Sequence, residues 1–384
     1  MRWDAMRISP DAPGEQQRPG QEAPPVGGPA NGAPTGPPPA LFERSAVARS
    51  FDTPGFRGMT FFEVHAKSII NRVPEASRVP FRWTINPYRG CSHACRYCFA
   101  RNTHTYLDLD AGHDFDSKIV VKVNAPELVR KELAARKWKG EHIAMGTNVD
   151  CYQRAEGRYK LMPGILGALV AARNPFSILT KGTLLLRDLP LLEEGAEVTD
   201  VGLSVSVGCT DEDLWRVLEP GTPSPKRRLG VCATLTEHGL PCGVLMGPVV
   251  PFLSDSPAQL EATVRGVAEA GATQVSPIVL HLRPGAREWF LAWLGENHPD
   301  LVPKYRELYG KGAYAPKAYQ ESIAGQVREL AERYRVGNAS PKGNRRVWRG
   351  ARAGAAESTA DGPVDPATRA ESEPQDAGVQ LSLL

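Results

Sequence analysis

An α/β fold built on a parallel sheet is predicted by two observations. Six short apolar, β-branched segments (81–86, 143–147, 176–180, 201–207, 243–250 and 274–281) alternate with stretches of helical character. The helical stretches also carry their own start and stop signals. Asn124-Ala-Pro-Glu127 reads as a cap, with Pro126 in the first turn and Glu127 placed to reach back. Leu128, Val129, Leu133 and Trp138 continue it as an apolar face. Ser256-Pro-Ala-Gln259 opens a second helix, which Gly271 closes. Such a sheet is either open and doubly wound or curved into a partial barrel. In both, ligands lie at the carboxyl ends of the strands, so the residues just after each strand carry the information.

Composition sets the bounds. The 384 residues suffice for one large domain or two, with 41% hydrophobic and 23% charged residues, close to an average globular chain. A net charge of +3 calls for neither nucleic acid nor a membrane. No apolar run is long enough to span a bilayer; the stretch 161–172 is short and contains Pro163 and two glycines. The first residues lack the apolar core of a secretory signal, so a cytoplasmic location with reduced thiols is expected. Seven cysteines, three of them within 91–98, then read as a metal site and not as a disulfide framework. Residues 1–44 are rich in Pro and Gly and are expected to be disordered. The stretch 338–384 is expected to be a second disordered tail, first basic (Lys342, Arg345, Arg346, Arg349, Arg352) and then acidic. The compact part is expected over 45–337, without internal repeats.

The segment Gly90-Cys-Ser-His-Ala-Cys-Arg-Tyr-Cys98 directly follows the first predicted strand. Three thiolates in one loop can hold three corners of an iron–sulfur cubane, and no fourth cysteine is near. One iron would then be open to a substrate or cofactor. The residues also allow a zinc knot of Cys91, Cys95 and Cys98 with His93 or His104, although no second Cys-x-x-Cys exists.

Cys-x-x-x-Cys-x-x-Cys, with Tyr97 before the last cysteine, resembles the signature of the radical S-adenosylmethionine (SAM) superfamily. The run Ile85-Asn-Pro-Tyr-Arg-Gly-Cys-Ser-His-Ala-Cys-Arg-Tyr-Cys-Phe-Ala-Arg101 resembles its spore-photolyase-like, or DNA-repair-photolyase-like, branch. Phe61-Phe-Glu-Val-His-Ala-Lys-Ser-Ile-Ile-Asn71 and His281-Leu-Arg-Pro-Gly285 resemble an actinobacterial subgroup of unassigned substrate. The likeness extends over about 45–335 and implies a partial (β/α)6 TIM-like barrel. It further implies a [4Fe–4S] cluster on Cys91, Cys95 and Cys98, whose open iron chelates SAM. Reductive cleavage would give methionine and a 5′-deoxyadenosyl radical that abstracts hydrogen from a substrate, with the electron supplied by a donor such as flavodoxin or ferredoxin.

Carried over residue by residue, the resemblance sets Tyr97 against adenine. It puts Thr147 and Asn148, in Gly146-Thr-Asn148, at the methionine amino group and Lys181 at its carboxylate. Ser204 and Ser206, two apart and so on one strand face, match positions that hydrogen-bond the cofactor. Gly243 and Gly247 lie where backbone approaches adenine. One departure matters: Val149-Asp-Cys-Tyr-Gln153 carries Cys151 where related sequences have proline. The hydrogen-donating cysteine of spore photolyases falls nearer Met145 and Gly146, so it is not carried over to Cys151. A thiol there reads as a buried small hydrophobe or as a separate hydrogen donor.

The last residues, Gln380-Leu-Ser-Leu-Leu384, resemble the peptide by which bacterial repair proteins bind the sliding clamp. Three functions follow from the sequence: radical chemistry on DNA or another nucleic acid, radical modification of a peptide or small metabolite, and a non-catalytic iron–sulfur or zinc module.

Overall fold

The structure is a computed structural model and describes residues 46–75, 77 and 79–337. The expectations for 1–44 and 338–384, with the clamp-binding residues Gln380, Leu381, Leu383 and Leu384, lie outside the described residues. Eleven strands are described: β1 (Val47–Ser50), β2 (Thr60–Val64), β3 (Ile70–Arg72), β4 (Trp83–Ile85), β5 (Tyr88–Arg89), β6 (Lys118–Lys122), β7 (Ile143–Met145), β8 (Phe176–Thr180), β9 (Val201–Ser206), β10 (Cys242–Val249) and β11 (Gln274–Val279).

The larger sheet has the order β11-β10-β9-β8-β7-β4-β3. From β4 to β11 every pairing is parallel, and β3 adds an antiparallel edge. A doubly wound sheet reverses its strand order at a switch point. This one never does. Right-handed crossovers put the connecting helices on one side, and the sheet curves into a partial (β/α)6 barrel. The six strands are those the sequence predicts, with ends shifted by two residues at most.

Burial separates the two faces of this sheet. Ile143, Met145, Phe176, Ile178, Val201, Leu203, Val205 and Val244 are buried in one core with helix residues such as Leu166, Leu192, Val231 and Leu235. The alternate face carries several small or polar residues among a few apolar ones such as Leu179 and Leu245. Ser177, Gly202 and Ser204 are half-buried, and Gln274 and Ser276 on the terminal strand are exposed. These line the concave side, which therefore offers room and hydrogen-bonding groups instead of filling itself.

Gly146 ends β7 with φ +75°, and a Cβ there would stand 1.8 Å from the Leu179 carbonyl oxygen. Gly146→Ala combines backbone strain with a backbone clash, and a loss of about 2–6 kcal/mol is expected in denaturant unfolding. A loss below about 1 kcal/mol would show that the strand ends can separate freely.

The second predicted helix starts as expected. Ser256 accepts from the Gln259 amide, and the helix Pro257–Glu269 is followed by Gly271 at φ +68°. The first differs. Ala125–Leu133 is helical, but Asn124 makes no side-chain cap. Its amide instead pairs with both backbone groups of Ala66, at 2.9 Å each, a long-range demand that outcompetes the local cap. Trp138 lies beyond the helix, edge-on to Trp83 at 5.2 Å, and donates to Asn174. A second, four-stranded sheet, β1-β2-β6-β5, is not predicted by the sequence.

Candidate active site

The cysteine loop leaves β5 through Gly90. Its φ is +79°, and a Cβ would meet the His104 ring at 2.8 Å and the Lys118 carbonyl at 2.9 Å. One side chain clamps the start of the loop: Gln153 donates to the Gly90 carbonyl and accepts from the Ser92 amide, both at 2.9 Å. The far side rests on the segment after the helix Glu212–Leu218. There Arg96 N–H donates to the Leu218 carbonyl (2.9 Å) and Gly221 N–H to the His93 carbonyl (3.0 Å). Wholly buried Arg101 holds the middle, donating to the Cys95 carbonyl at 2.9 Å.

All three loop cysteines are free thiols; Cys91 and Cys95 are buried and Cys98 is half-buried. Burial pushes each thiol up; Asp150 adds to this for Cys91 and Glu219 for Cys95, and the neighbouring loop thiols add less. Opposing it, Lys181 and Arg228 favour the Cys95 thiolate, and Arg101 and Lys181 that of Cys98. Three thiols in one loop are a donor set that suits an iron–sulfur cluster, whose metal favours the thiolate form. Among the described residues no three His, Cys, Asp or Glu groups are arranged around a single ion. A cubane asks for something else, since each thiolate meets a different iron. Each histidine of the zinc alternative has one ring nitrogen placed against another group. His104 Nε2 lies 2.8 Å from the Lys118 carbonyl, and His93 Nδ1 lies 3.4 Å from Asp150.

A connected set of polar groups spans the carboxyl ends of β7 to β10. Tyr97 donates its hydroxyl to Glu219, and Arg228 pairs with the same carboxylate at 2.5 Å. The Lys181 ammonium lies 3.9 Å from Glu219 and 5.9 Å from the Tyr97 ring centre. It donates to Ser206 Oγ at 2.7 Å and to the Gly247 carbonyl at 3.4 Å. Asp150 secures the strand end beneath, accepting from Thr180 Oγ1 and the Lys181 amide, both at 2.6 Å. For Glu219, burial works to raise the carboxyl. Arg228 and Lys181, with hydrogen bonds from Tyr97 and Arg228, outweigh it and hold the group below its ordinary range.

Of the residues expected at the cofactor, Tyr97, Lys181, Ser206 and Gly247 thus converge in one network. Ser204 shares a face with Ser206 but lies two residues deeper, paired with Gly243. Gly243 stands at the amino end of β10, away from the network. Thr147 and Asn148 follow β7, half-buried and outside this network. The Cys151 thiol is wholly buried in the main core, with nothing of its surface open to a substrate. Asp150, Glu219, Arg228, Gln153 and Arg101 belong to the site and are not singled out by the sequence. The available signal was position: Asp150 and Gln153 directly follow β7, and Glu219 stands between an apolar Leu218 and a Pro-Gly turn.

A family model described as the Radical SAM superfamily matches residues 85–263, from β4 through the thiol loop and β10 into the helix Pro257–Glu269. The chain belongs to the radical SAM superfamily. It is a radical SAM enzyme, and membership brings SAM-dependent radical chemistry, an iron–sulfur cluster and the need for a reductant. An uncharacterized protein of Mycobacterium tuberculosis is 51% identical over 294 residues, covering 77% of this chain and 86% of that one. An uncharacterized protein of Methanocaldococcus jannaschii is 32% identical over 195 residues, covering 50% of this chain and 69% of its own. Among solved structures, spore photoproduct lyase complexed with dinucleoside spore photoproduct superposes with a TM-score of 0.56 at 14% identity. That match covers 72% of this chain and 80% of the other, and shows a common fold. Among the described residues no helix is long and apolar enough to cross a membrane.

Proposed function

We propose that this radical SAM enzyme holds a [4Fe–4S] cluster on Cys91, Cys95 and Cys98 and acts on nucleic acid. When bound, the cluster supplies the electron that splits SAM into methionine and a 5′-deoxyadenosyl radical, which takes hydrogen from the substrate. The protein's own residues do the holding and orienting. Lys181, fixed at its amide by Asp150, offers its ammonium to the methionine carboxylate. Thr147 and Asn148, outside the polar network, are available to the amino group. Tyr97, turned by Glu219, presents its ring to adenine, with Ser204, Ser206 and Gly247 alongside.

One observation carries the nucleic-acid reading. Phe99, directly after Cys98, is 44% exposed, and Tyr314 is 49% exposed. Arg283 links them, its guanidinium 5.8 Å from the Phe99 ring centre and 3.2 Å from the Tyr314 hydroxyl. His281 packs on Tyr314 at 4.5 Å. Exposed rings joined by a cation beside a strand end form the surface on which an unstacked base and its phosphate bind. The same reading takes flavodoxin or ferredoxin as electron donor, and Gln380, Leu381, Leu383 and Leu384 as a clamp-binding peptide.

After anaerobic reconstitution, about four irons per chain and dithionite-dependent 5′-deoxyadenosine are expected. Cys95→Ala should lose both. Phe99→Ala and Tyr314→Ala should each weaken single-stranded oligonucleotide binding by roughly 5- to 150-fold. Their iron content should stay at the wild-type level. Deuterium passing into 5′-deoxyadenosine from labelled DNA would support the substrate assignment. Deuterium passing only from peptide or small-metabolite fractions would overturn it.

A further inference from the structure

Arg89 and Lys122 make a pair that the active-site network does not use. Arg89 on β5 stands opposite Val120 of antiparallel β6. Lys122 is two residues further along β6, so both side chains leave the same face of the small sheet as diagonal neighbours. Each residue is only 6% exposed. Among the described residues neither side chain has a hydrogen-bond or ion-pair partner. The surroundings on that face are apolar: Phe62, Val64 and Val120 of the strands, with Leu107 and Leu109. Glu132 favours the Lys122 charge, but its oxygens accept from the Ile69 and Ile70 amides, at 2.8 and 2.9 Å.

Two like charges beside each other, nearly stripped of water and without an acid between them, repel strongly. Burial, with Arg89 adding, lowers Lys122 to about 8, so it still carries its charge at neutral pH. None of the nitrogens of Arg89 or Lys122 is among the sealed polar atoms. The pair therefore keeps a small opening to solvent.

We infer that Arg89 and Lys122 form an oxyanion site on the small sheet, separate from the SAM site, that takes a phosphate group. Phosphate matches both donors: the guanidinium fork grips two oxygens side by side, and the ammonium supplies a point charge to a third. The group can come as free phosphate or as part of a nucleotide chain. The inference stands on this pair alone and does not depend on the nucleic-acid reading above.

The test uses the full-length, anaerobically reconstituted enzyme, titrated with inorganic phosphate by calorimetry. One saturable site per chain is expected, with affinity in Lys122→Met and in Arg89→Met at least about tenfold weaker. Lys122→Met should leave iron content and dithionite-dependent 5′-deoxyadenosine formation unchanged. In phosphate-free buffer this variant should melt no lower than the wild type, because a neutral chain of similar length removes an uncompensated charge. Added phosphate should raise the wild-type melting temperature and not the variant's. If Lys122→Met does not fold, Lys122→Gln serves for the same comparison. Competition by a 5′-phosphorylated dinucleotide, and not by the unphosphorylated one, would identify a nucleotide source; no competition would point to free phosphate. Absence of saturable phosphate binding to the wild type, or equal binding by the variants, overturns the site.

Discussion

Arg101→Met is expected to destabilise the protein by about 3–5 kcal/mol and to release the thiol loop. Arg101 is wholly buried, and its guanidinium donates to the carbonyls of Cys95 (2.9 Å) and Gly112 (2.8 Å). It also grips both oxygens of Asp116, at 2.9 and 3.0 Å, and lies on the Phe115 and Trp289 rings at 5.2 and 4.7 Å. Methionine replaces the contact with the rings. It removes the Arg101 donors from both carbonyls and takes from half-buried Asp116 its hydrogen-bonded cation. Lysine is no substitute, since three donors on one nitrogen cannot serve three separated acceptors.

The pH dependence of that deficit follows from Asp116. Burial already raises its carboxyl above the ordinary 3.8, against the opposing pull of Arg101. Without Arg101 the folded-state value climbs further, and the charged form is the penalised one. An acid raised in this way leaves stability intact below its unfolded value and removes it as pH rises through the folded value. The Arg101→Met deficit should therefore be larger at pH 8 than at pH 5. Urea unfolding under anaerobic conditions at the two values measures it, with iron per chain as the readout for the loop. A deficit under about 1 kcal/mol, with iron retained, would show that the loop holds itself.

What the sequence reveals and conceals follows the range of the interactions. The segment 176–180 is predicted residue for residue because five consecutive apolar or hydroxyl-bearing positions favour extended chain whatever their partners. Ser256 is legible because its cap closes within three residues. The small sheet is hidden: β5 has two residues, and β6 carries lysine at both ends, which masks its apolar centre. The three thiols are legible by spacing alone. Glu219 is not, because its meaning comes from Tyr97, 122 residues earlier in the chain, and from Lys181. Arg101 stands inside the recognisable motif. Its role nevertheless depends on the turn at Ala111 and Gly112 folding back onto it. Asn124 gives the converse lesson, where a good local cap yields to a backbone 58 residues away.

Glu219→Gln should be the most damaging isosteric change in the polar network. The carboxylate faces Arg228, which is 1% exposed, and Lys181, and it accepts the Tyr97 hydroxyl. An amide keeps the volume and one acceptor but removes the carboxylate charge that pairs with both cations. A loss of about 3–5 kcal/mol is expected. Freed from Glu219, Tyr97 and Lys181 would settle differently around SAM. A displacement of about 1 Å is enough to slow 5′-deoxyadenosine formation roughly 100-fold. Acid distinguishes this account from a general packing defect. The folded Glu219 carboxyl is held below its ordinary 4.5, so its contribution is complete above that value and disappears as pH falls through the folded one. The stability gap between wild type and Glu219→Gln should be full at pH 7 and close as the solution is acidified below 4.5. A double-mutant cycle with Arg228→Met should return a coupling of about 0.5–3 kcal/mol at pH 7. If the gap is flat across the acid range, or the coupling is absent, the charge of Glu219 does not hold this network together.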